Sequence, residues 1–357
     1  MPSPRKTTPQ PKRTPTVPGL SESASARRML MADLARLAGV STSTVSRALS
    51  GNPLIRTATR DRIVELARSM NYQVNVGAAN LRKRDVHTVA VVVLGDSMQL
   101  ISDPFILSLV GHIADELDER GMNLLLSRVT AERRKQLASL VDSGKVAGLL
   151  VLGQTTCHQY LNELAGRRIP MVVWGARLPD TRYLVVGGDN EQGGYLATRH
   201  LLQQDCREIA FLGDITHPEV MLRHHGYTRA LAEQGIKPDP LLYKPILFHD
   251  AALRGVIGNW LAQGIRFDGV FATSDVAALT TISALGERGM RVPQDVKVVG
   301  YDDVDMSAHL HPSISSVRQP TQQAAKSMVH MLFRAMDEEP VEPVTLATEL
   351  VVRDSSR

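Results

Sequence analysis

The stretch MADLARLAGVSTSTVSRALSG, residues 31–51, predicts two short helices joined by a tight turn. Gly39 stands where the first helix must end, because glycine enters a left-handed turn at little steric cost. Ser41 is placed to cap the second helix, with Val40 and Val45 forming a hydrophobic staple across that cap. The pattern indicates a helix–turn–helix, although an ordinary helical hairpin with a glycine turn would have the same spacing.

The second of these helices is short and carries polar side chains on its outer face. Its apolar residues Val45, Ala48 and Leu49 recur at helical spacing and form an inner face. Small polar side chains and an arginine on an exposed helix are suited to hydrogen bonding with base edges in the DNA major groove. The candidate DNA-contacting residues are Thr42, Ser43, Thr44, Ser46 and Arg47.

Positive charge is concentrated at the N-terminal end of the chain. The net charge is +5 over residues 1–28 and +5 over residues 29–86, whereas the whole chain carries only +4. The rest of the chain is therefore acidic. A basic N-terminal quarter beside an acidic body is typical of a nucleic-acid-binding domain, although a solvated basic face would explain the charge alone.

Composition excludes several classes of protein. Two cysteines, Cys157 and Cys206, give neither a disulfide framework nor zinc-ligand spacing. The adjacent His224 and His225 point apart on a helix, so no metal site and no cofactor is expected. No apolar run approaches the ~20 residues of a membrane span, and the N-terminus lacks the apolar region of a secretory signal. We expect a cytoplasmic protein without membrane contact.

From residue 87 onward, eight short apolar runs alternate with amphipathic helical segments. Examples are TVAVVVL at 88–94, GLLVLG at 148–153 and VKVVGYDD at 296–303. Continuous apolar runs are typical of parallel strands covered on both faces. The alternation predicts a doubly wound α/β core, and the eight runs group into two sets of four, which suggests two lobes.

The motifs, taken in order, resemble the LacI/GalR family of bacterial transcription regulators. The segments AGVS and TVSRAL are followed about twenty residues later by the pair Asn71 and Tyr72. The segment NVGAANLRKRDVHTVAVVV, residues 75–93, is similar to the family's hinge helix and first core strand. The resemblance covers residues 29–353, which is nearly the whole chain.

The resemblance implies a three-helix helix–turn–helix head and a hinge helix, followed by a two-lobed, doubly wound core of the periplasmic-binding-protein-like (type I) kind. The expected divisions are a disordered basic tail at 1–28, the head at 29–73, the hinge helix and linker at 74–86, and the effector-binding and dimerisation core at 87–357. Family members cross between lobes three times, near Val186, Val317 and Val344 in this chain. The implied lobes are about 87–186 with 318–343, and about 187–317 with 344–357.

The resemblance also assigns DNA contacts to the hinge. There Ala78, Leu81 and Arg82 would enter the minor groove when two subunits pair, with Leu81 inserted into the central base step. Packing of Leu81 against the core is the alternative. Leu30 and Arg56 stand where the family usually has caps on its first and third helices, and each lost cap costs about 1 kcal/mol.

The cleft of such a core lies at the carboxyl ends of the strands, where several positions match the family's effector contacts. Asp103 would accept hydrogen bonds from sugar hydroxyls. Phe105 and Trp174 offer flat faces to a sugar ring, although both are equally suited to the core. Arg223 has the fixed donors needed for bidentate recognition. The implied effector-binding residues are Asp103, Phe105, Trp174, Arg223, Ser274, Asp275 and Asp302.

Together these features predict a DNA-binding transcriptional regulator. We expect a dimeric (or tetrameric) repressor of carbohydrate-utilisation genes that binds pseudo-palindromic double-stranded operator DNA and is released by a sugar effector of the glucoside type. A co-repressor mechanism, in which ligand promotes DNA binding, is the first alternative. A secreted sugar-binding protein would have no use for the helix–turn–helix. No phosphate loop, HExxH or GxSxG motif supports a catalytic site, so no enzyme is expected.

Overall fold

The computed structural model describes residues 31–49, 52, 54–70, 86–95, 100–154, 157–167, 169–246 and 252–357. The chain divides into two compact units, Met1–Lys83 and Arg84–Arg357. Below, the described residues of the first unit are called the head and the second unit is called the core. Within the described ranges, no helix combines the length and the apolar character that crossing a bilayer requires.

The head consists of three helices: α1 (Met31–Ala38), α2 (Thr42–Leu49) and α3 (Thr57–Ser69). α1 ends at Gly39, whose φ of +66° is the left-handed conformation predicted for this glycine. The turn between α1 and α2 is therefore short, and the two helices form the predicted helix–turn–helix.

The helix ends of the head are capped unequally. The hydroxyl of Ser41 accepts a hydrogen bond from the Thr44 N–H at 3.2 Å, which caps α2 as predicted. Arg56 precedes α3 and makes no side-chain cap, so the expected loss of that cap is confirmed. In compensation, the guanidinium of Arg62 on α3 donates to the carbonyl oxygen of Ala38 and ties α3 to the end of α1.

Small apolar side chains form the core of the head. Alanine at the helix contacts lets the three backbones approach closely, and larger side chains fill the centre. The spacing of Leu34, Leu37 and Ala38 predicts one buried face of α1. Leu34 and Ala38 are buried, whereas Leu37 is 50% exposed. Val40 packs against the same cluster, so the predicted staple with Val45 is present. The buried residues are Leu34, Ala35, Ala38, Val45, Ala48, Ile63 and Ala67.

The core contains two six-stranded sheets. In the first, the strand order is β11-β5-β4-β3-β1-β2 and every neighbouring pair is parallel. Its strands are β1 (Thr88–Leu94), β2 (Asn123–Val129), β3 (Gly148–Leu152), β4 (Met171–Trp174), β5 (Leu184–Gly188) and β11 (Val344–Leu346). The fifth predicted run, β5, pairs with β4, so the predicted grouping of the runs into two sets of four is wrong.

The second sheet has the order β12-β10-β9-β8-β6-β7, and only its β10–β12 pair is antiparallel. Its strands are β6 (Ile209–Leu212), β7 (Tyr243–Lys244), β8 (Gly269–Ala272), β9 (Lys297–Asp302), β10 (Ser315–Arg318) and β12 (Glu349–Val351). Both sheets are mainly parallel, as the continuous apolar runs predicted.

Helices cover both faces of each sheet, which confirms the doubly wound α/β class. α4 and α11 pack on one face of the first sheet, and α5 and α6 pack on the other. α7 and α8 cover one face of the second sheet, and α9 and α10 cover the other. Their bounds are α4 (Pro104–Asp118), α5 (Gln136–Asp142), α6 (His158–Gly166), α7 (Asn190–Gln203), α8 (Pro218–Glu233), α9 (Leu253–Ala262), α10 (Asp275–Gly286) and α11 (Thr321–Met336).

The chain passes three times between lobe 1, which is the first sheet with α4, α5, α6 and α11, and lobe 2, which is the second sheet with α7 to α10. The passages follow β5, β10 and β11. Val344 pairs with Val186 inside the first sheet, and Leu346 is buried in the lobe 1 core. The third passage therefore comes just after Leu346, close to Val344, near which it was expected.

Candidate functional site

The outer face of α2 presents the predicted DNA-contacting residues. Thr42, Ser43 and Arg47 are exposed, and Thr44 and Ser46 are half-buried. All five therefore reach solvent to some degree on a helix of eight residues. This placement suits contact with the edges of bases, because a helix of this size fits the major groove.

The cap of α2 also fixes two of these hydroxyl groups. The Oγ of Ser41 lies 2.8 Å from Ser43 Oγ and 2.8 Å from Thr44 Oγ1. A hydroxyl donates one hydrogen bond and accepts two, so these groups keep capacity for DNA. The hinge residues Ala78, Leu81 and Arg82 lie outside the described residues, as does Leu30.

Arg223 on α8 is held in one orientation at the carboxyl edge of the second sheet. The side chain is buried, with 4% exposure. Its Nε donates to Asn190 Oδ1 at 2.9 Å and its Nη1 donates to the Thr273 carbonyl oxygen at 2.6 Å. The guanidinium carbon lies 3.6 Å from the centroid of the Tyr301 ring, a cation–π contact. A guanidinium has five N–H groups and these two hydrogen bonds use two of them, so up to three, on Nη1 and Nη2, remain for a ligand.

Two glycines explain how α8 brings Arg223 to this position. A Cβ at Gly194 on α7 would lie on the backbone carbonyl of Arg223, and a Cβ at Gly226 on α8 would lie on the carbonyl of Glu191. α7 and α8 therefore meet backbone to backbone, and only glycine permits such a contact. This is the physical reason for the Arg-His-His-Gly spacing in the sequence.

Asp302, the last residue of β9, lies close to Arg223. Its φ of +106° is unusual for a residue with a side chain, and the residue is 9% exposed. Oδ1 accepts a hydrogen bond from Gln319 Nε2 at 2.7 Å. Burial raises the pKa of Asp302 well above its usual range, opposed by the charge of Arg223 and reinforced by that of Asp103. The charge of Asp103 in lobe 1 therefore acts on the carboxyl group of Asp302 in lobe 2.

Asp103 caps the N-terminal end of α4. Its Oδ1 accepts hydrogen bonds from the N–H groups of Phe105 at 2.9 Å and Ile106 at 3.1 Å, at the start of α4. Phe105 and Trp174 pack against each other with ring centroids 5.9 Å apart. They are only 8% and 6% exposed and belong to the lobe 1 core, which the sequence left open as an alternative.

Ser274 and Asp275 make hydrogen bonds within lobe 2. Ser274 caps α10 by accepting from the Ala277 N–H at 3.1 Å. The Asp275 carboxylate accepts from the Val304 N–H at 2.9 Å, from Ser307 Oγ at 2.7 Å and from Ser316 Oγ. Burial raises the pKa of Asp275 to about 6. Both its oxygens accept hydrogen bonds within lobe 2, so Asp275 orients the segment after β9; its contact with a ligand stays a prediction.

Three cleft residues were missing from the predicted set although each follows a strand directly or nearly so. Asn190 and Thr273, which accept from Arg223, come after β5 and β8, and Gln319 comes after β10. The rule that ligands bind at the carboxyl ends of parallel strands would have selected Asn190 and Thr273, but not Gln319, because β10 was not among the predicted strands.

Glu219 is a fourth residue that the sequence did not single out. It lies on α8 one helical turn before Arg223, whose charge and that of His217 oppose the effect of its burial. Burial raises its pKa. Burial is the chief reason that the pKa of Tyr183 in lobe 1 is raised to about 12. The negative charge of Glu219 makes a smaller contribution to the same increase.

The two neighbouring histidines of α8 have separate surroundings. The ring of His224 packs edge-on against Phe211, with centroids 4.9 Å apart, whereas His225 is exposed. They point apart, as helical geometry predicts. No group of three or more potential metal ligands occurs among the residues that the structure describes.

Comparison with known proteins gives two family matches. Residues 30–75 match the family described as bacterial regulatory proteins, lacI family, and residues 198–356 match the periplasmic binding protein-like domain. The chain is 32% identical over 338 residues to the HTH-type transcriptional regulator CelR of Thermobifida fusca, covering 92% of this chain and 98% of the relative. It is 28% identical over 336 residues to the HTH-type transcriptional regulator MalR of Clostridium butyricum, covering 92% and 99%.

Comparison with solved structures also finds transcriptional regulators. A complex of the transcriptional regulator CelR with cellobiose is 30% identical, with a TM-score of 0.67, and the match covers 92% of this chain and 100% of that one. The lac repressor dimer bound to operator and the anti-inducer ONPF, at 22% identity, shares the fold with a TM-score of 0.79 over 92% and 99% of the two chains. The chain belongs to the LacI family of bacterial regulatory proteins, and it is a transcriptional regulator and not an enzyme.

Proposed function

We propose that this chain is a dimeric repressor that binds operator DNA through its head and is released when a sugar binds between the lobes of its core. The observation that carries this proposal is Arg223, a buried arginine fixed at the carboxyl edge of one sheet beside Asp302. The same chain carries a helix–turn–helix with an exposed polar face. A sensor and a DNA-binding unit are thus joined in one polypeptide.

On the DNA side, Thr42 and Ser43 would contact base edges and Arg47 would reach a guanine or a phosphate. Their exposure on α2 supports this assignment. From the sequence resemblance alone, we assign Ala78, Leu81 and Arg82 to the minor groove. The target is a pseudo-palindromic operator in the bacterial cytoplasm, with one half-site for each head.

On the effector side, Arg223, Asp302 and Asp103 supply the polar contacts. Hydrogen-bond donors and acceptors from both lobes suit the hydroxyl groups of a sugar. A relative 30% identical over its full length was solved as a complex with cellobiose, which favours a glucoside-type effector here.

The segment after β9 offers a route from the effector to the rest of the core. Asp302 is followed by Asp303, which also has a positive φ (52°) and pairs with Arg318 and Arg353. Val304, the next residue, packs against the lobe 1 core cluster. A ligand held at Asp302 therefore acts on a segment that contacts both lobes. To release DNA, it must bind the released state more tightly than the DNA-bound state.

The test is operator affinity, measured by fluorescence anisotropy, with and without a panel of sugars that includes cellobiose. We expect at least one sugar to weaken operator binding tenfold or more. If sugar instead strengthens operator binding, the sugar acts as a co-repressor and does not release the protein from DNA. If no sugar changes operator affinity, the proposed class of effector is wrong.

A further inference from the structure

Three hydroxyl groups meet at the N-terminal end of α2. Ser41 Oγ accepts a hydrogen bond from the Thr44 N–H at 3.2 Å. The same oxygen lies 2.8 Å from Ser43 Oγ and 2.8 Å from Thr44 Oγ1. Ser41 Oγ therefore takes part in three hydrogen bonds, which is the full capacity of a hydroxyl group, one donated and two accepted.

This limited capacity gives Ser43 and Thr44 opposite roles. The Thr44 N–H occupies one of the two lone pairs of Ser41 Oγ. Of the two neighbouring hydroxyl groups, one must therefore donate to the remaining lone pair, and the other must accept the proton of Ser41. The hydroxyl that donates to Ser41 keeps only lone pairs for other partners, whereas the hydroxyl that accepts from Ser41 keeps its proton for them.

The direction of a hydroxyl proton matters for base recognition, because a hydroxyl that rotates freely can pair with either kind of base edge. In the major groove, adenine N6 and cytosine N4 donate, whereas guanine O6 and N7, adenine N7 and thymine O4 accept. Four of the five candidate DNA-contacting residues of α2 carry hydroxyl groups, so free rotation would leave much of this face unselective. A hydroxyl whose proton is held by Ser41 pairs with only one kind of edge.

We propose that Ser41 is a positioning residue for base recognition: by fixing the hydroxyl protons of Ser43 and Thr44, it makes one of these groups a donor and the other an acceptor toward DNA. The inference rests on the proposed function, which places Ser43 at a base edge. Ser43 is exposed and Thr44 is half-buried, so both hydroxyl groups can be reached by a ligand. DNA displaces water from α2 when it binds, and the hydrogen bonds to Ser41 are stronger where water competes less.

The experiment measures base preference by fluorescence anisotropy, using the full chain and a duplex that this chain enriches from a random-sequence pool. Each base pair is replaced in turn, with the same change in both half-sites. We expect one base pair at which Ser43→Ala lowers the discrimination from about tenfold to less than about threefold. Ser41→Gly should lower it at the same base pair by the same factor, because it removes the hydroxyl while glycine still serves as an N-cap.

Three further variants separate positioning from capping. Ser41→Thr keeps both the hydroxyl and the cap, so it should retain the preference of the parent. The double variant of Ser41→Gly with Ser43→Ala should lose no more discrimination than either single variant, because Ser41 acts through Ser43. The control is Ser69→Gly, which removes a hydroxyl that donates to the Leu66 carbonyl oxygen and should change no preference. Thermal unfolding of the variants, expected within about 2 °C of the parent, verifies that they fold.

The outcomes that overturn the inference differ from the one that overturns the proposed function. If Ser41→Gly weakens binding by one common factor on every duplex and keeps the preference of the parent, Ser41 is a helix cap and nothing more. If it changes the preference only at a base pair that Ser43→Ala leaves unaltered, Ser41 does not act through Ser43. Both results leave operator binding in place. If the chain enriches no duplex, the proposed recognition of DNA is wrong, and the role of Ser41 with it.

Discussion

Arg47 in the head and Arg223 in the core were both predicted to contact a ligand, yet their surroundings are opposite. Arg47 lies exposed on a helix of eight residues. Arg223 is 4% exposed, donates to two oxygens of its own protein and lies flat against Tyr301. The candidate DNA contact is therefore an exposed side chain, whereas the candidate effector contact is a side chain held in place by its own protein.

The largest effect is expected from Arg223→Ala. Loss of the guanidinium removes a ligand contact and takes a donor from the Thr273 carbonyl oxygen and from Asn190 Oδ1, which still accepts from the Tyr301 hydroxyl at 3.4 Å. Sugar affinity should fall more than 100-fold, and the core should lose about 2–3 kcal/mol of stability. Calorimetric titration and urea unfolding measure the two losses.

Arg229→Ala is the control for that change. Arg229 lies on the same helix, pairs with Glu191 and is 43% exposed in its side chain. Its removal should cost less than about 1 kcal/mol of stability. Retained sugar affinity in Arg223→Ala would show that the fixed arginine is purely structural.

Arg47→Ala should weaken operator binding by about 10- to 50-fold, since one good base contact is worth roughly 1–3 kcal/mol. Sugar affinity should not change, because Arg47 belongs to the other unit. Anisotropy against operators altered one base pair at a time checks both strength and base preference. Arg36→Ala, at another exposed arginine of the head, is the control. A uniform loss over all operators would assign Arg47 to a phosphate.

The pH dependence of core stability should contain a term from Asp275. Burial raises its pKa from 3.8 to about 6, so folding favours the protonated form. The stabilisation is fully present below pH 3.8 and is lost as the pH rises through 6. Between pH 5 and pH 8 the loss should be about 1.4 kcal/mol. Urea unfolding at pH 5 and pH 8 should show this decrease in the free energy of unfolding of the parent and not of Asp275→Asn. Equal decreases in the two proteins would refute the assignment to Asp275.

The smallest effect is expected in the head, where Ser41→Ala removes the cap of α2. The loss should be about 1 kcal/mol of local stability. Hydrogen exchange of the α2 amides in the full chain measures it. Ser69→Ala, which removes a hydroxyl that donates to the Leu66 carbonyl near the end of α3, should leave those amides unchanged. Faster exchange in both variants would mean that the head opens as a whole.

The sequence predicted the head more completely than the cleft, for a physical reason. Gly39 and Ser41 act on neighbours in the chain, so their roles follow from local spacing. The contacts of Arg223, in contrast, come from residues 33 and 50 positions away. Asp275 likewise accepts from three donors in distant segments, and no local pattern reveals them.

The strands also divide into those that a local sequence pattern predicts and those that depend on distant contacts. All eight apolar runs contain a strand, because burial on both faces leaves a local signature. β10 was missed because Ser315 and Ser316 are fully buried polar residues. Their hydroxyls donate to the Arg353 carbonyl and to Asp275, contacts that only the folded chain supplies.

The position of β11 has a consequence for how this protein is made. The strand lies near the C-terminal end of the chain yet pairs with β5 in the sheet that begins at residue 88. Lobe 1 therefore cannot complete its sheet on the ribosome until almost all of lobe 2 has been synthesised. An effector domain transplanted from this chain onto another DNA-binding head would consequently have to be taken whole, since neither lobe is a continuous piece of polypeptide.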